Sequence, residues 1–185
     1  MSQIGYYRYA AIARDQIVFV CEDDLWSVPR SGGVARRLTA GSGEVATPRI
    51  SPDGSTIAFV ARDEGGPEVY TMPAGGGVPT RLTFLGADAC SVSCWTPDGS
   101  SILFCTDANA PFAKETQGYR IAAGGGTPEP LSLGHARSLS QNADGRMVIG
   151  RNNDDPARWK RYRGGTAGDI WIDRDGDGIF HRLIS

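Results

Sequence analysis

"SPDGSTIAF", Ser51–Phe59, returns 45 residues later as "TPDGSSILF", Thr96–Phe104. In both, an Asp-Gly pair follows a proline and leads into an apolar run, the pattern of a tight turn that opens a strand. A weaker copy, "NADGRMVI", starts at Asn142, and a reduced one, "ARDQIVF", starts at Ala13. Recurrence near 45 residues marks a repeat architecture. Each copy is followed by a second element: "LWSVPRSGGVARRLT" from Leu25, "VYTMPAGGGVPTRLT" from Val69, "GYRIAAGGGTPEPLS" from Gly118 and "IWIDRDGDGIFHRLI" from Ile170. Trp26, Tyr70, Tyr119 and Trp171 align, as do Leu38, Leu82, Leu131 and Leu183.

Each unit therefore reads as four short strands. One precedes the Asp-Gly turn, an apolar one follows it, an aromatic one comes third, and a Gly-rich hairpin leads to the fourth. Ile17, Val18, Phe19 and Val20 are consecutive, so the second strand is apolar on both faces and must be covered on both. Stacked four-stranded sheets do this. The expected fold is all-β: a propeller domain spanning 1–185, with antiparallel four-stranded blades near 6–45, 46–88, 89–134 and 135–185. The first and last blades would each keep one apolar face bare, near Phe19 and near Ile149, and such faces invite self-association into a homodimer or higher assembly.

The formal net charge is −2, which argues against a nucleic-acid partner. No stretch has the roughly 18 apolar residues of a membrane span, and "MSQIGYYRYA" has no apolar signal core. Cys21, Cys90, Cys94 and Cys105 read as reduced, mostly buried thiols of a cytoplasmic protein; Cys90 and Cys94 lie about 13 Å apart if extended, too far for a bridge.

The blades differ most between their second and third strands. Phe19 to Trp26 is 7 residues, Phe59 to Tyr70 is 11, Phe104 to Tyr119 is 15 and Ile149 to Trp171 is 22. Long loops in a compact repeat fold tend to carry function. The longest contains "RWKRYR", in which Arg158, Lys160, Arg161 and Arg163 flank Trp159 and Tyr162. Its cations could attract peptide carboxylates at a channel mouth, making Arg158, Lys160, Arg161, Tyr162 and Arg163 the peptide-binding candidates. The structural alternative has Trp159 and Tyr162 cap the blade edge while the charges pair with Asp154, Asp155 or Asp169.

At these residues the chain resembles the N-terminal propeller of the tricorn protease family, over nearly its whole length. The resemblance rests on "CEDDLW" from Cys21, "ISPDGSTIAF" from Ile50, "DANAPF" from Asp107, "VIGRN" from Val148 and above all "RWKRYRGGTAGDIWI" from Arg158. It implies a large cytosolic peptidase that acts on oligopeptides downstream of the proteasome. It also implies a six-bladed propeller, followed by a second propeller, a PDZ-like domain and the catalytic domains. The sequence ends after Ser185, where a fifth blade is expected. The family's catalytic serine, its histidine and its substrate-terminus arginines are expected downstream, so no catalytic residue is assigned and the chain alone is expected not to be an enzyme.

The two histidines, His135 and His181, lie at a blade link and in a fourth strand, and no Gly-x-Ser-x-Gly elbow occurs. "DRDGDG" places Asp173, Asp175 and Asp177 as in the first half of a calcium loop, but Ile184 stands where such a loop needs its last carboxylate. It reads as an Asp-Gly turn, with calcium as the alternative, and no cofactor is expected. The glycine runs Gly75–Gly77 and Gly124–Gly126 lack the Lys-Ser/Thr of a phosphate loop and read as hairpins. The expected function is a non-catalytic scaffold, gate or channel module for oligopeptides; the alternative is a free-standing protein-interaction propeller completed by self-association.

Overall fold

The Asp-Gly turns show how the repeat is locally fixed. Asp53 Oδ1 accepts the Ser51 hydroxyl at 2.5 Å and the Ser55 N–H at 3.0 Å, while Oδ2 accepts the Ser55 hydroxyl at 2.7 Å. Gly54 takes φ 80°, which a side chain would resist. Asp98 repeats the arrangement with Thr96 and Ser100, at 2.6, 3.0 and 2.8 Å. The donated hydroxyls of Ser51 and Thr96 lead in holding both carboxyls down at about 2.

These contacts belong to a computed structural model that describes residues 5–41, 43–63, 65–112, 115–152 and 168–183. All its regular elements are strands. Blade 1 holds β1 (Tyr7–Ala13), β2 (Gln16–Cys21), β3 (Asp24–Pro29) and β4 (Arg36–Arg37); blade 2 holds β5 (Val45–Ile50), β6 (Thr56–Ala61), β7 (Glu68–Pro73) and β8 (Thr80–Arg81). Blade 3 holds β9 (Cys90–Trp95), β10 (Ser101–Thr106), β11 (Gln117–Ala122) and β12 (Glu129–His135); blade 4 holds β13 (Ser138–Gln141), β14 (Met147–Arg151), β15 (Asp169–Asp173) and β16 (Phe180–Arg182). In every blade the strands pair antiparallel in chain order. No helix among the described residues is long and apolar enough to cross a membrane.

β1, β5, β9 and β13 lie innermost and pack side by side along the propeller axis; substantial contacts between blades join only consecutive ones. Strand pleating gives each blade two faces. The leading face of blade 1, with Val18, Val20 and Leu25, meets the trailing face of blade 2, with Ile57, Phe59, Tyr70 and Met72, in one buried cluster. Ala58, Val60 and Val69 of blade 2 meet Ile102, Phe104, Tyr119 and Ile121 of blade 3 in the next. Leu103 and Cys105 of blade 3 meet Leu139 and Ile149 of blade 4. Hydrogen bonds cross the same junctions: Gln16 Nε2 to the Ala74 carbonyl at 2.9 Å, Trp95 Nε1 to the Arg49 carbonyl at 2.9 Å, and Leu139 N–H to Ser93 Oγ at 3.2 Å.

The bare faces fall at the two ends of the array. Phe19 and Trp26 are half-buried, although the equivalents of Phe19, Phe59 and Phe104, are 0% exposed and those of Trp26, Tyr70 and Tyr119, are buried. At the other end Ile149 itself is 0% exposed, because it points back into blade 3. The open face belongs to its neighbours in the pleat, Val148, Ile170 and Ile172, which are only partly covered.

Two outcomes follow from this packing. Phe59→Ala or Phe104→Ala empties a full aromatic site and costs about 3–5 kcal/mol in denaturant unfolding, whereas half-covered Phe19→Ala costs less than half of that. The depressed carboxyls of Asp53 and Asp98 give a pH signature. A lowered folded pKa contributes stability above the ordinary value of 3.8, and that contribution is lost as pH falls from there through about 2. The double variant Asp53→Asn, Asp98→Asn therefore loses less stability than the parent between these two pH values, as read from urea midpoints.

Candidate site at the channel mouth

The innermost strands all begin at one end of the propeller, and the links between blades and the second-to-third-strand loops open there too. The irregularity of these strands shapes the mouth. β1 breaks register between Arg8 and Ala11, and β5 between Ala46 and Arg49. Tyr9 takes φ 51° and Thr47 φ 46° inside these bulges. A β-branched residue resists the left-handed region. The bulge is tied down because Thr47 Oγ1 accepts the Val92 N–H of the next blade at 3.0 Å.

Below the bulges lies an open cavity of about 500 Å³, whose lining includes Glu44, Thr47, Arg62, Asp88, Cys90 and Arg137. Glu44 and Arg62 of this lining are engaged, with Arg8 beside them. Arg8 binds Asp23 at 2.7 Å and Glu44 at 3.6 Å, with its guanidinium over the rings of Tyr6 and Tyr9. Arg62 approaches Glu44 at 3.9 Å and donates to the Asp88 carbonyl at 3.1 Å. Asp107 Oδ1 takes the N–H groups of Asp88 and Ala89 at 3.1 and 2.9 Å. Cys90 and Cys105 form part of the same wall. Burial, with the Glu68 charge second, pushes the Cys90 thiol far up, and burial pushes Cys105 up to about 11. Both stay protonated and unreactive near neutrality.

Beside the mouth sits a feature the sequence reading missed. Glu68 is 2% exposed, and its carboxylate takes donors from the Thr83 hydroxyl (2.5 Å), Leu85 N–H (2.7 Å), Gly86 N–H (3.1 Å) and Arg81 (3.1 Å). In blade 1, Asp24 binds Arg37 and the Thr39 hydroxyl; in blade 4, Asp169 binds Arg182. The acid stands two residues before the repeat aromatic and the arginine just before the repeat leucine, so the signal was present in the alignment of the repeats. Blade 3 has Gln117, Pro130 and Ser132 at these places.

The basic candidates Arg158, Lys160, Arg161, Tyr162 and Arg163 lie outside the described residues. The described residues on either side, Asn152 and Gly168, stand at the mouth end of β14 and β15. Of the acids expected to pair with the basic stretch, Asp169 is bound to Arg182. Asp173 serves its own turn, taking the N–H groups of Gly176 and Gly178 at 2.7 and 3.4 Å, and Asp177 takes the Ile179 N–H at 2.9 Å. Among the described residues no three His, Cys, Asp or Glu side chains are grouped to hold a metal. The histidines are apart: His135 ends β12 with both ring nitrogens buried and unpartnered, and His181 is exposed on β16.

Glu68→Ala leaves Arg81 and two loop N–H groups without their acceptor, and it lowers unfolding free energy by about 3–5 kcal/mol in denaturant titration. Thiol titration with an aromatic disulfide reagent at mildly alkaline pH finds Cys90 and Cys105 silent in the folded chain and reactive once it is unfolded.

The family model of the tricorn protease N-terminal β-propeller domain matches residues 4–185. The chain is 36% identical over 179 residues to tricorn protease homolog 1 of Streptomyces coelicolor, covering 97% of this chain and 17% of that protein. A Sulfurisphaera tokodaii protein, named provisionally as a tricorn-like protease N-terminal subunit, is 33% identical over 175 residues, which are 92% of this chain and 88% of that one. The crystal structure of the tricorn protease superposes with a TM-score of 0.84 at 34% identity, over 98% of this chain and 18% of that one. The chain thus spans about a sixth of the long relatives it matches, within their propeller, and the peptidase catalytic domain lies elsewhere. The chain belongs to the tricorn protease family and corresponds to its N-terminal β-propeller domain.

Proposed function

We propose that this chain is a non-catalytic propeller module of a tricorn-like peptidase, working in the cytoplasm as a scaffold, gate or channel through which oligopeptides pass. The observation that carries the reading is the mouth. Residues of all four blades line an open polar cavity whose walls offer donors, acceptors and charges of both signs, the functional groups that a peptide backbone and its termini require. Arg8 and Arg62 there are engaged by Asp23, Glu44 and the Asp88 carbonyl, so net attraction for acidic peptides is assigned to Arg158, Lys160, Arg161, Tyr162 and Arg163. Four free cysteines suit a reducing compartment. Titration of acidic and neutral peptides at low and high salt tests the assignment. Acidic peptides bind weakly and lose affinity with salt, and the variant Arg161→Glu, Arg163→Glu loses that preference. Equal binding by parent and variant overturns it.

A second reading is favoured by the bare blade faces. Residues 1–185 act as one propeller unit that completes itself by self-association, and the apolar faces of blades 1 and 4 are the surfaces used. Light scattering of the isolated chain at micromolar concentration tests it: a dimer or larger species supports it, and a monomer refutes it.

A further inference from the structure

Phe84 is 78% exposed, the most exposed aromatic among the described residues, yet it is held in place. The Arg81 guanidinium lies over one face of its ring, 4.4 Å from the centroid. Arg81 in turn donates from Nε to the Thr83 carbonyl at 2.9 Å and from Nη2 to Glu68 at 3.1 Å. Glu68 also takes the N–H groups of Leu85 and Gly86, which follow the ring in the chain. A buried acid therefore fixes both the cation behind the ring and the backbone beneath it. A ring already fixed loses little further freedom when a ligand covers it.

The clasp does not itself require this aromatic. In blade 1, Asp24, Arg37 and Thr39 make the same clasp, and Ala40 stands at the place of Phe84. In blade 3 the place belongs to Leu133, which packs into the junction with blade 4, and in blade 4 to Ser185. Blade 2 alone puts a large ring there, and it does so at the mouth. Phe84 opens the link from β8 to β9, and Asp88, Ala89 and Cys90 farther along that link form a wall of the polar cavity. Asp107 fixes this wall by accepting the Asp88 and Ala89 N–H groups. The β10–β11 connection that carries Asp107 also carries Phe112, 69% exposed. On this side the rim of the polar cavity is apolar.

We propose that Phe84 is a specificity-determining contact of the mouth: its free face takes a large uncharged side chain of an oligopeptide whose main chain lies in the neighbouring polar cavity. The inference rests on the peptide reading and adds which side chains are favoured. Arg81 decides the charge of the occupant. A second cation on the free face would meet a ring whose π charge is already drawn toward Arg81. A carboxylate would meet the negative face of the ring. An aliphatic or aromatic side chain meets neither penalty and gains from covering the ring.

The test titrates the chain with two neutral hexapeptides, acetylated and amidated, that differ only in a central Phe or Ser. Backbone amide NMR shifts report binding. The Phe peptide binds the parent about 10-fold more tightly than the Ser peptide, the value of partly covering one apolar side chain. Its shifts centre on the link that begins at Phe84. Phe84→Ala removes the preference and Phe84→Leu keeps part of it, with circular dichroism showing that each is folded. Where the alanine variant does not fold, the reduced preference of Phe84→Leu carries the comparison. A third, net-acidic peptide reports the wider peptide reading. If it binds while the parent treats the two neutral peptides alike, or takes neither, the role of Phe84 is overturned and the peptide reading stands. A preference that survives Phe84→Ala has the same consequence. A parent that binds none of the three overturns both.

Discussion

Every level of this structure depends on strands that cannot tolerate water on either face. In β6, Ile57, Ala58, Phe59, Val60 and Ala61 are all at most 3% exposed, and β10 repeats the situation. At about 25 cal/mol per Å² of apolar surface, a central strand with neighbours on one side only would forgo a large part of its stabilisation. A flat sheet on a helical layer would cover one face. Stacking identical blades covers both, so the repeat pattern and the propeller are one consequence of one constraint. The same constraint makes the ends of the array its least satisfied places.

The outer edge of each blade poses the opposite difficulty. β4 and β8 are only two residues long, so the ladder there holds little by itself. An acid–arginine clasp, joined by a threonine in blades 1 and 2, supplies what the ladder lacks, tying the start of the third strand to the end of the fourth through charge-assisted hydrogen bonds. Blade 3 lacks the acid and the arginine, and its fourth strand, β12, runs for seven residues instead. Blades with a short edge carry the clasp, and the blade without it carries a long edge. The clasp also places a buried carboxylate at the mouth, where its charge adds to the burial that keeps the Cys90 thiol protonated.

The architecture was legible because its signals are local and repeated: an Asp-Gly turn fixes where a strand starts, and two-sided apolarity fixes that it is sandwiched. The clasps were less legible because each joins residues 13 to 15 apart, such as Asp24 with Arg37 and Thr39, and single charges on a strand read as solvent-facing. Only the register of the repeat reveals that they are equivalent. The mouth was legible in position but not in content. Its cavity is built from residues of four blades, Tyr9, Thr47, Ser91 and Arg137 among them, and no linear spacing brings these together. For Ile149 the apolar run located the last blade, but the run does not say which alternate residues face inward. Pleat parity, set by pairing Ile149 with Trp171 and Val148 with Ile172, decides it.

The distribution of charge at the mouth bears on what such a module can do. Arg8 and Arg62 share Glu44, and Asp107 is engaged by backbone N–H groups. Ion pairs of this kind contribute little stability at a surface, but they cancel each other's field at the distance of an approaching ligand. A wall that is polar yet nearly neutral can exchange hydrogen bonds with a peptide without holding it strongly. Strong retention would need further cations, and the sequence concentrates four of them within Arg158–Arg163. Under the proposed peptide role, attraction and passage are separable along the chain: altering the basic stretch changes how peptides are drawn in, whereas altering Glu44 removes the carboxylate partner of Arg62 and leaves Arg8 with Asp23.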